Sequence, residues 1–501
     1  VPKVRDVALF FGGTLISQAV TFLSGVLVAR WLGPDHYGVL SLVRNVYGVI
    51  AILAPLGLDL SLLRHLGENG DDWPRSIAQV HRFRLIALLV NLAVLGLAAM
   101  LVGPWLEHHV YTQPHFALYL SLALLALPFG ADIAILSASL RALNQVSLQN
   151  LAGLYLQPFV RVGCLALFLG LGLGVGGVVV STAIGAAAAC AAMSAALAWV
   201  TRRRAIARHR LRADDHAAMR RVFGYSVWLG VMLLLYNTLR NVDILVLGWF
   251  RPPAEVGQYA ALSAIAYVIT IFPLAVSQTL SPTVARLYAA GDLAGVRGEL
   301  RGYLRRAVLL SSPIFAGLAA FGPWLDLVFG ARYHFSASLS LLLALVYMLS
   351  GCLGQMGVSL TMTGRHRLEF CILAVGAAGS LAGCVLLAPR LGADGVALGI
   401  LFGYVFVNGV RTVLSARVLR GLDIAWSDAF APLVCLGIAW GWRLLLDHFF
   451  VHSWLTAGWA AALLITAFAG LYQGLILRPD EKAFIAGQWR KVGRGRSGTQ
   501  G

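Results

Sequence analysis

From Leu85 to Trp105 the chain reads "LIALLVNLAVLGLAAMLVGPW", without one ionisable side chain. As a helix, about 20 such residues cover about 30 Å, the thickness of a bilayer's hydrocarbon core. Inside lipid each backbone N–H and C=O must be satisfied within the protein, so a continuous apolar run of this length is constrained to be a helix. The run has many counterparts. Reading segments of similar length gives about fourteen candidate spans: 7–29, 38–62, 84–103, 116–138, 151–172, 177–200, 224–249, 256–280, 307–329, 337–361, 368–388, 393–416, 428–449 and 455–477. The composition agrees. The 501 residues are 59% hydrophobic and 12% charged, against about 25% charged in a typical soluble domain. Such a chain cannot furnish a polar surface for water. The expectation is an all-α integral membrane protein.

The charge distribution suggests an orientation. Of the 39 Lys and Arg residues, 31 fall in segments that are cytoplasmic if the N-terminus is. Five fall in the opposite segments (Arg30, Arg251, Arg332, Arg390 and Arg443), and three lie deep within spans; the 31 count Arg84 and Arg411, at the cytoplasmic ends of theirs. Cytoplasmic loops carry such an excess, which places both termini in the cytoplasm. The net charge of +17 is therefore read as a membrane-topology signal, and no nucleic-acid partner is expected. Six cysteines lie in or beside apolar runs without metal-ligand spacing, so no disulfide framework and no metal site is expected. No cleavable signal peptide is read at the N-terminus.

An internal repeat divides the chain. "RWLGPDHYGVLSL" (30–42) is echoed by "GWFRPPAEVGQYAALSA" (248–264), with Trp31 and Trp249 separated by 218 residues. "LGVGGV" (173–178) and "LGADGV" (391–396) have the same offset, and "SLRALNQ" (139–145) pairs with "SLTMTGR" (359–365) at 220. Six spans separate the members of each pair, so the copies have parallel topology and are related by an axis along the membrane normal. That is a transporter plan with a site near mid-membrane. The expected parts are an N-lobe (1–200), a basic cytoplasmic linker (201–222), a C-lobe (223–420), two further helices (421–477) and a basic cytoplasmic tail (478–501).

The stretches "VARWLGPDHYGVLSLV", "LAPLGLDLSLLRHL", "RNVDILVLGWFRPPAEVGQYAALSAI" and "LSPTVARLYAAGD" resemble the polysaccharide-transporter branch of the multidrug/oligosaccharidyl-lipid/polysaccharide flippase superfamily. The resemblance covers about residues 5–420; the last two spans match only in number. It implies two pseudo-symmetric six-helix lobes in a V, alternating access, and a bacterial inner-membrane location. It also implies a substrate class: undecaprenyl-pyrophosphate-linked oligosaccharide, moved from the cytoplasmic to the periplasmic leaflet, with an O-antigen or exopolysaccharide repeat unit favoured. Polymerase and chain-length machinery are implied partners. A flippase for lipid II or a teichoic-type precursor is the near alternative, and a multidrug exporter the distant one.

Three arginines inside spans are the sharpest candidates for a site: Arg44, Arg161 and Arg240. An arginine at the bilayer centre costs about 3 kcal/mol on insertion scales. Arg161 stands about 15 Å from either end of its span, too far for easy snorkelling, and Pro158 kinks the helix beside it. A guanidinium stays charged and offers forked donors to phosphate oxygens, so the three are expected to line a cavity that neutralises a pyrophosphate. The competing explanation is internal pairing, most directly of Arg240 with Asp243 at i+3. Gln18, Thr21, Asn45, Gln157, Asn237 and Asn241 are the supporting polar candidates. Asp59 and Asp132 are candidates for coupling to H+ or Na+, or for pairing with Arg64 and Arg141. No other cofactor is expected. The linker "TRRRAIARHRLRADDHAAMRRVFGYS" reads either as a helix lying on anionic membrane lipids or as a basic loop.

An enzyme is the rival class. A membrane polysaccharide polymerase or ligase needs a sizeable catalytic loop, and the longest outer one reads "GPWLEHHVYTQPH". His108 and His109 there read as part of an interfacial anchor. The chain is expected not to be an enzyme.

Overall fold

The computed structural model describes residues 4–421 except 55–57, 59, 60, 63, 64, 67–71, 112, 208, 210–212, 278 and 279, together with isolated positions between 437 and 456. The spans expected at 428–449 and 455–477 lie outside the described residues. So do Asp59 and the side chains of Asn237 and Arg240.

Among the described residues the regular structure is entirely helical. The principal helices are α1 (Val4–Leu53), α2 (Trp73–Leu97), α3 (Phe116–Leu124), α4 (Leu127–Ala142), α5 (Gln157–Gly170), α6 (Gly174–Arg203), α7 (Ala213–Phe250), α8 (Pro253–Ala266), α9 (Leu280–Ala289), α10 (Leu293–Phe321), α11 (Ala337–Leu353) and α12 (His366–Val418). Among the described residues, nine helices are long and apolar enough to cross a membrane. The chain is a multi-pass membrane protein. Its side-chain distribution fits that solvent. On α2, Val80, Phe83 and Ala87 are buried, while Leu85, Leu88, Leu89 and Leu92 are exposed. A stripe of exposed leucines opposes hydration in water and costs nothing against lipid tails.

The turn at "GPDHYG" is tighter than a hairpin loop. α1 is helical on both sides of Gly33, and only that residue leaves helical geometry, at φ 77° and ψ 173°. Glycine reaches this conformation without a Cβ penalty, and Pro34 then opens the next arm, where its missing N–H is harmless. α12 breaks in the same way at Gly392, φ 59°. The linker also differs from the interfacial-helix reading. Ala213 opens α7, which continues unbroken to Phe250, so the second part of the linker is the first turns of a long helix.

The repeat proves to be a repeat of turns and caps. Gly174 and Gly392, 218 apart, both have positive φ, as do Asn144 and Gly364, 220 apart. Asp72 caps α2 by accepting from Arg75 N, and Asp292, 220 residues later, caps α10 by accepting from Gly295 N at 2.7 Å. "GPWL" occurs at 103–106 and again at 322–325, each time as a short helical turn beyond a long helix. The tightest expression is a reciprocal crossing. A Cβ on Gly38 would overlap the carbonyl of Pro253, and one on Gly257 would overlap the carbonyl of Pro34.

Grouped by contact, the chain forms two compact units: residues 1–264 with 328–334 and 370–403, and residues 265–327 with 335–369 and 404 onwards. The first contains two ion-pair clusters. Arg84 grips Asp132 with Nε and Nη2 at 2.6 and 2.7 Å and also donates to Ser194 Oγ. Asp215, buried, accepts from Arg75 Nε and from Gln79 Nε2 at 3.3 Å, with His209 Nε2 3.3 Å away. This fastens the start of α7 to the start of α2. In the second unit Arg411 pairs with Glu369 through Nε at 3.2 Å and through Nη2. A Cβ on Gly357 would press on both partners.

Candidate functional site

Two of the three span arginines meet in the first unit. An open cleft with a cavity volume of about 40 Å³ is lined by Thr21, Ser24, Gly25 and Val28 of the first arm of α1 and by Arg44 of its second arm. Arg161 and Leu165 of α5 and Val178, Ser181 and Thr182 of α6 complete it. Local sequence explains how these side chains converge. The Gly33 break folds α1 back, bringing Arg44 to the same cleft as Ser24. A π turn at Leu151–Leu156 precedes α5 and Pro158 occupies its first turn, so the helix is deflected just before Arg161. On α6, Gly185 has no side chain where a Cβ would lie 3.0 Å from both Arg161 Cβ and Gln157 O. That absence lets α5 and α6 approach closely at the level of the arginine.

The cleft's hydrogen bonding is one-sided. Ser24 Oγ donates to Thr21 O at 2.9 Å and accepts from Arg161 Nη2 at 3.0 Å. Ser181 Oγ and Thr182 Oγ1 donate to Val178 O at 2.7 and 3.3 Å. These hydroxyl protons are committed to backbone carbonyls. The remaining donors are the Thr21 hydroxyl and the guanidinium N–H groups, of which Arg161 uses one on Ser24 and Arg44 none on the described residues. Neither arginine has a carboxylate partner among the described residues. Two guanidiniums in one low-dielectric cleft repel each other, and an anion carrying several oxygens relieves that repulsion while filling the free donors.

The other candidates lie elsewhere or are engaged. Gln18 is exposed on α1, and Gln157 is half-buried at the start of α5. Asn45 bonds back to Ser41 O at 2.8 Å. Asn241 is half-buried and already engaged. Asp243 is buried and accepts from Tyr259 Oη at 2.9 Å and from Ile244 N at 2.8 Å. Asp132 is ion-paired with Arg84, not with Arg141, whose Nε bonds Ser137 O at 3.3 Å. Cys190 Sγ also donates to Asp132 at 3.1 Å. Arg84 escaped notice because it borders the apolar run; α2 begins at Trp73 and carries it three turns into the helix. The cleft residues Ser24, Ser181 and Thr182 are further residues that sequence reasoning missed, since hydroxyls in apolar helices are common and carry no signal of their own.

The helical fold that holds these two arginines has solved counterparts. It is similar to a structure described as "Lipid II flippase MurJ, inward closed conformation", with a TM-score of 0.72 and 14% identity over 94% of this chain and 100% of that one. It is also similar to an inward-facing multidrug resistance MATE family transporter of the MOP superfamily, with a TM-score of 0.64 and 14% identity over 81% and 95% of the two chains. The outward-facing form of a MATE transporter gives 0.55 at 15% identity over 83% and 96%. No curated protein matches the chain. The family model described as "Polysaccharide biosynthesis protein" matches residues 4–288, more than half of the sequence. The chain belongs to the polysaccharide biosynthesis protein family.

Proposed function

We propose that the protein is a flippase of the bacterial inner membrane. It moves undecaprenyl-pyrophosphate-linked oligosaccharide repeat units, of O-antigen or exopolysaccharide type, from the cytoplasmic to the periplasmic leaflet by alternating access of two six-helix lobes. It is not an enzyme in this reading. The observation that carries it is the cleft of Arg44 and Arg161, without a carboxylate partner among the described residues and rich in unspent N–H donors, in a polysaccharide biosynthesis chain. At about 40 Å³ the cleft is far below the size of a site for a whole oligosaccharide. It suits the pyrophosphate and leaves the sugars to the wider path. Arg240 and the amides around it remain candidates for that path. Asp132, tied to Arg84, is the candidate coupling group: a proton arriving there would release Arg84. Polymerase and chain-length proteins would receive the flipped units.

Deletion of the gene is expected to leave lipid-linked repeat units on the cytoplasmic leaflet. Arg161→Ala should lower surface polymer roughly tenfold at unchanged membrane abundance, with Arg161→Lys recovering part of it. Full polymer from the Ala variant would remove Arg161 from the site. A lipid II flippase is the second reading, favoured by the fold shared with such a protein. It predicts instead that depletion halts cell-wall synthesis and leaves surface polymer intact until growth stops.

A further inference from the structure

The start of α10 carries arginines at 297, 301 and 305, a spacing of four that sets all three on one helix face. The helix and its extension run from Leu293 to Phe329, 37 residues, or about 55 Å, far more than the hydrocarbon needs. The uncharged part is residues 307–325. Arg305 therefore stands at the edge of the hydrocarbon, Arg301 about 6 Å and Arg297 about 12 Å further out, through the depth of the headgroups.

This stripe turns inward. Arg305 is buried and already partnered, and Arg297 and Arg301 are half-buried. Arg297 Nη1 donates to Arg420 O at 3.3 Å, at the end of α12. The Nε atoms of Arg297 and Arg301 are both buried without a hydrogen-bond partner. No carboxylate among the described residues pairs with either. Glu299 lies 3.9 Å from Arg306, and Asp292 caps its own helix. An ordinary cytoplasmic-loop arginine keeps its donors in water. Here the Nε edge of each fork is withdrawn from water and given nothing, which is costly for a charged group. The Nε–Nη edge of a guanidinium matches two oxygens of one phosphate. Basic pockets between transmembrane helices at this depth suit lipid headgroups.

We propose that the arginine face at the start of α10, where Arg297 meets the end of α12, is a binding site for the phosphate of an anionic phospholipid, held by Arg297 and Arg301. The full chain, purified in neutral detergent, is heated while dioleoyl-phosphatidylglycerol, dioleoyl-phosphatidylcholine or inorganic pyrophosphate is titrated in. The anionic lipid is expected to raise the unfolding midpoint by about 3 °C and phosphatidylcholine to leave it unmoved; a shift with pyrophosphate, which the Arg44–Arg161 cleft would take, should survive substitution of Arg297 and Arg301. Arg297→Gln with Arg301→Gln should abolish the lipid shift. Arg365→Gln with Arg367→Gln, which removes the same charge from exposed positions, should retain it. Equal loss of the lipid shift in both double variants, a pyrophosphate shift that disappears with Arg297→Gln and Arg301→Gln, or no lipid shift in the unaltered chain would overturn the proposal. If the glutamine pair does not fold, Arg297→Lys with Arg301→Lys keeps the charge and removes the fork. Native mass spectrometry should then show roughly tenfold weaker retention of the anionic lipid, and unchanged retention overturns the proposal.

Discussion

Arg411 and Glu369 are each about nine-tenths enclosed, with side-chain exposures of 8% and 10%. Removing the carboxylate by Glu369→Gln leaves a buried guanidinium facing a neutral amide, which costs about 3 kcal/mol. The unfolding midpoint of the variant should fall clearly. Replacing both partners, Glu369→Leu with Arg411→Met, should recover most of the loss, since the attraction within a buried pair roughly offsets its desolvation. A double variant as unstable as the single one would show that the pair contributes more than mutual neutralisation. Contrast this pair with Arg44 and Arg161, which have no acid to neutralise them among the described residues. That difference explains what could be read from the sequence at this scale. A charge in the middle of an apolar run is conspicuous, so the cleft's arginines were legible. A charge near a run's edge is not, so the partner of Asp132 went to the wrong arginine. Whether a charge is paired depends on helix rotation, which an apolar sequence with weak periodicity does not specify.

At the scale of elements, the crossing of Gly38 with the 253–257 turn permits a direct test. Gly38→Ala places a methyl group against a backbone carbonyl, which cannot move as a flexible side chain would. Gly48→Ala, on the same arm of α1, meets nothing within 4 Å. The first substitution should lower folded yield and thermal stability by about 2 kcal/mol, as overpacking does; the second should be neutral or slightly stabilising through better helix propensity. Equal tolerance in a detergent thermal assay would mean that the crossing is not closely packed. The repeat itself was legible because turns need particular residues, and glycines at left-handed positions persist where apolar filler drifts. The positions of Gly174 and Gly392 follow from that rule. The matching "GPWL" pair and the Asp72 and Asp292 caps were equally present in the sequence. They are short, and helix caps draw attention only once the helix starts are known. The single-residue turn at Gly33 was not legible, because a glycine–proline pair fits a longer loop as well.

For the whole molecule, the charge asymmetry makes a claim about sides of the membrane that side-chain packing leaves open. Asp35 and Asp292 are both exposed at helix turns. Seven of the expected spans separate them, from 38–62 to 256–280. An odd number puts them on opposite faces, and the excess of arginine around 286–306 assigns Asp292 to the cytoplasm. In a cysteine-free background, Asp35→Cys should react with a membrane-impermeant maleimide in intact spheroplasts. Asp292→Cys should react only after the membrane is opened. The reverse pattern would invert the orientation. Reaction of both in sealed spheroplasts would instead make the number of crossings between them even. One of the seven helices would then lie along the membrane rather than through it, and the parallel relation of the two halves would fail with it, since that relation requires an even number of spans in each repeat.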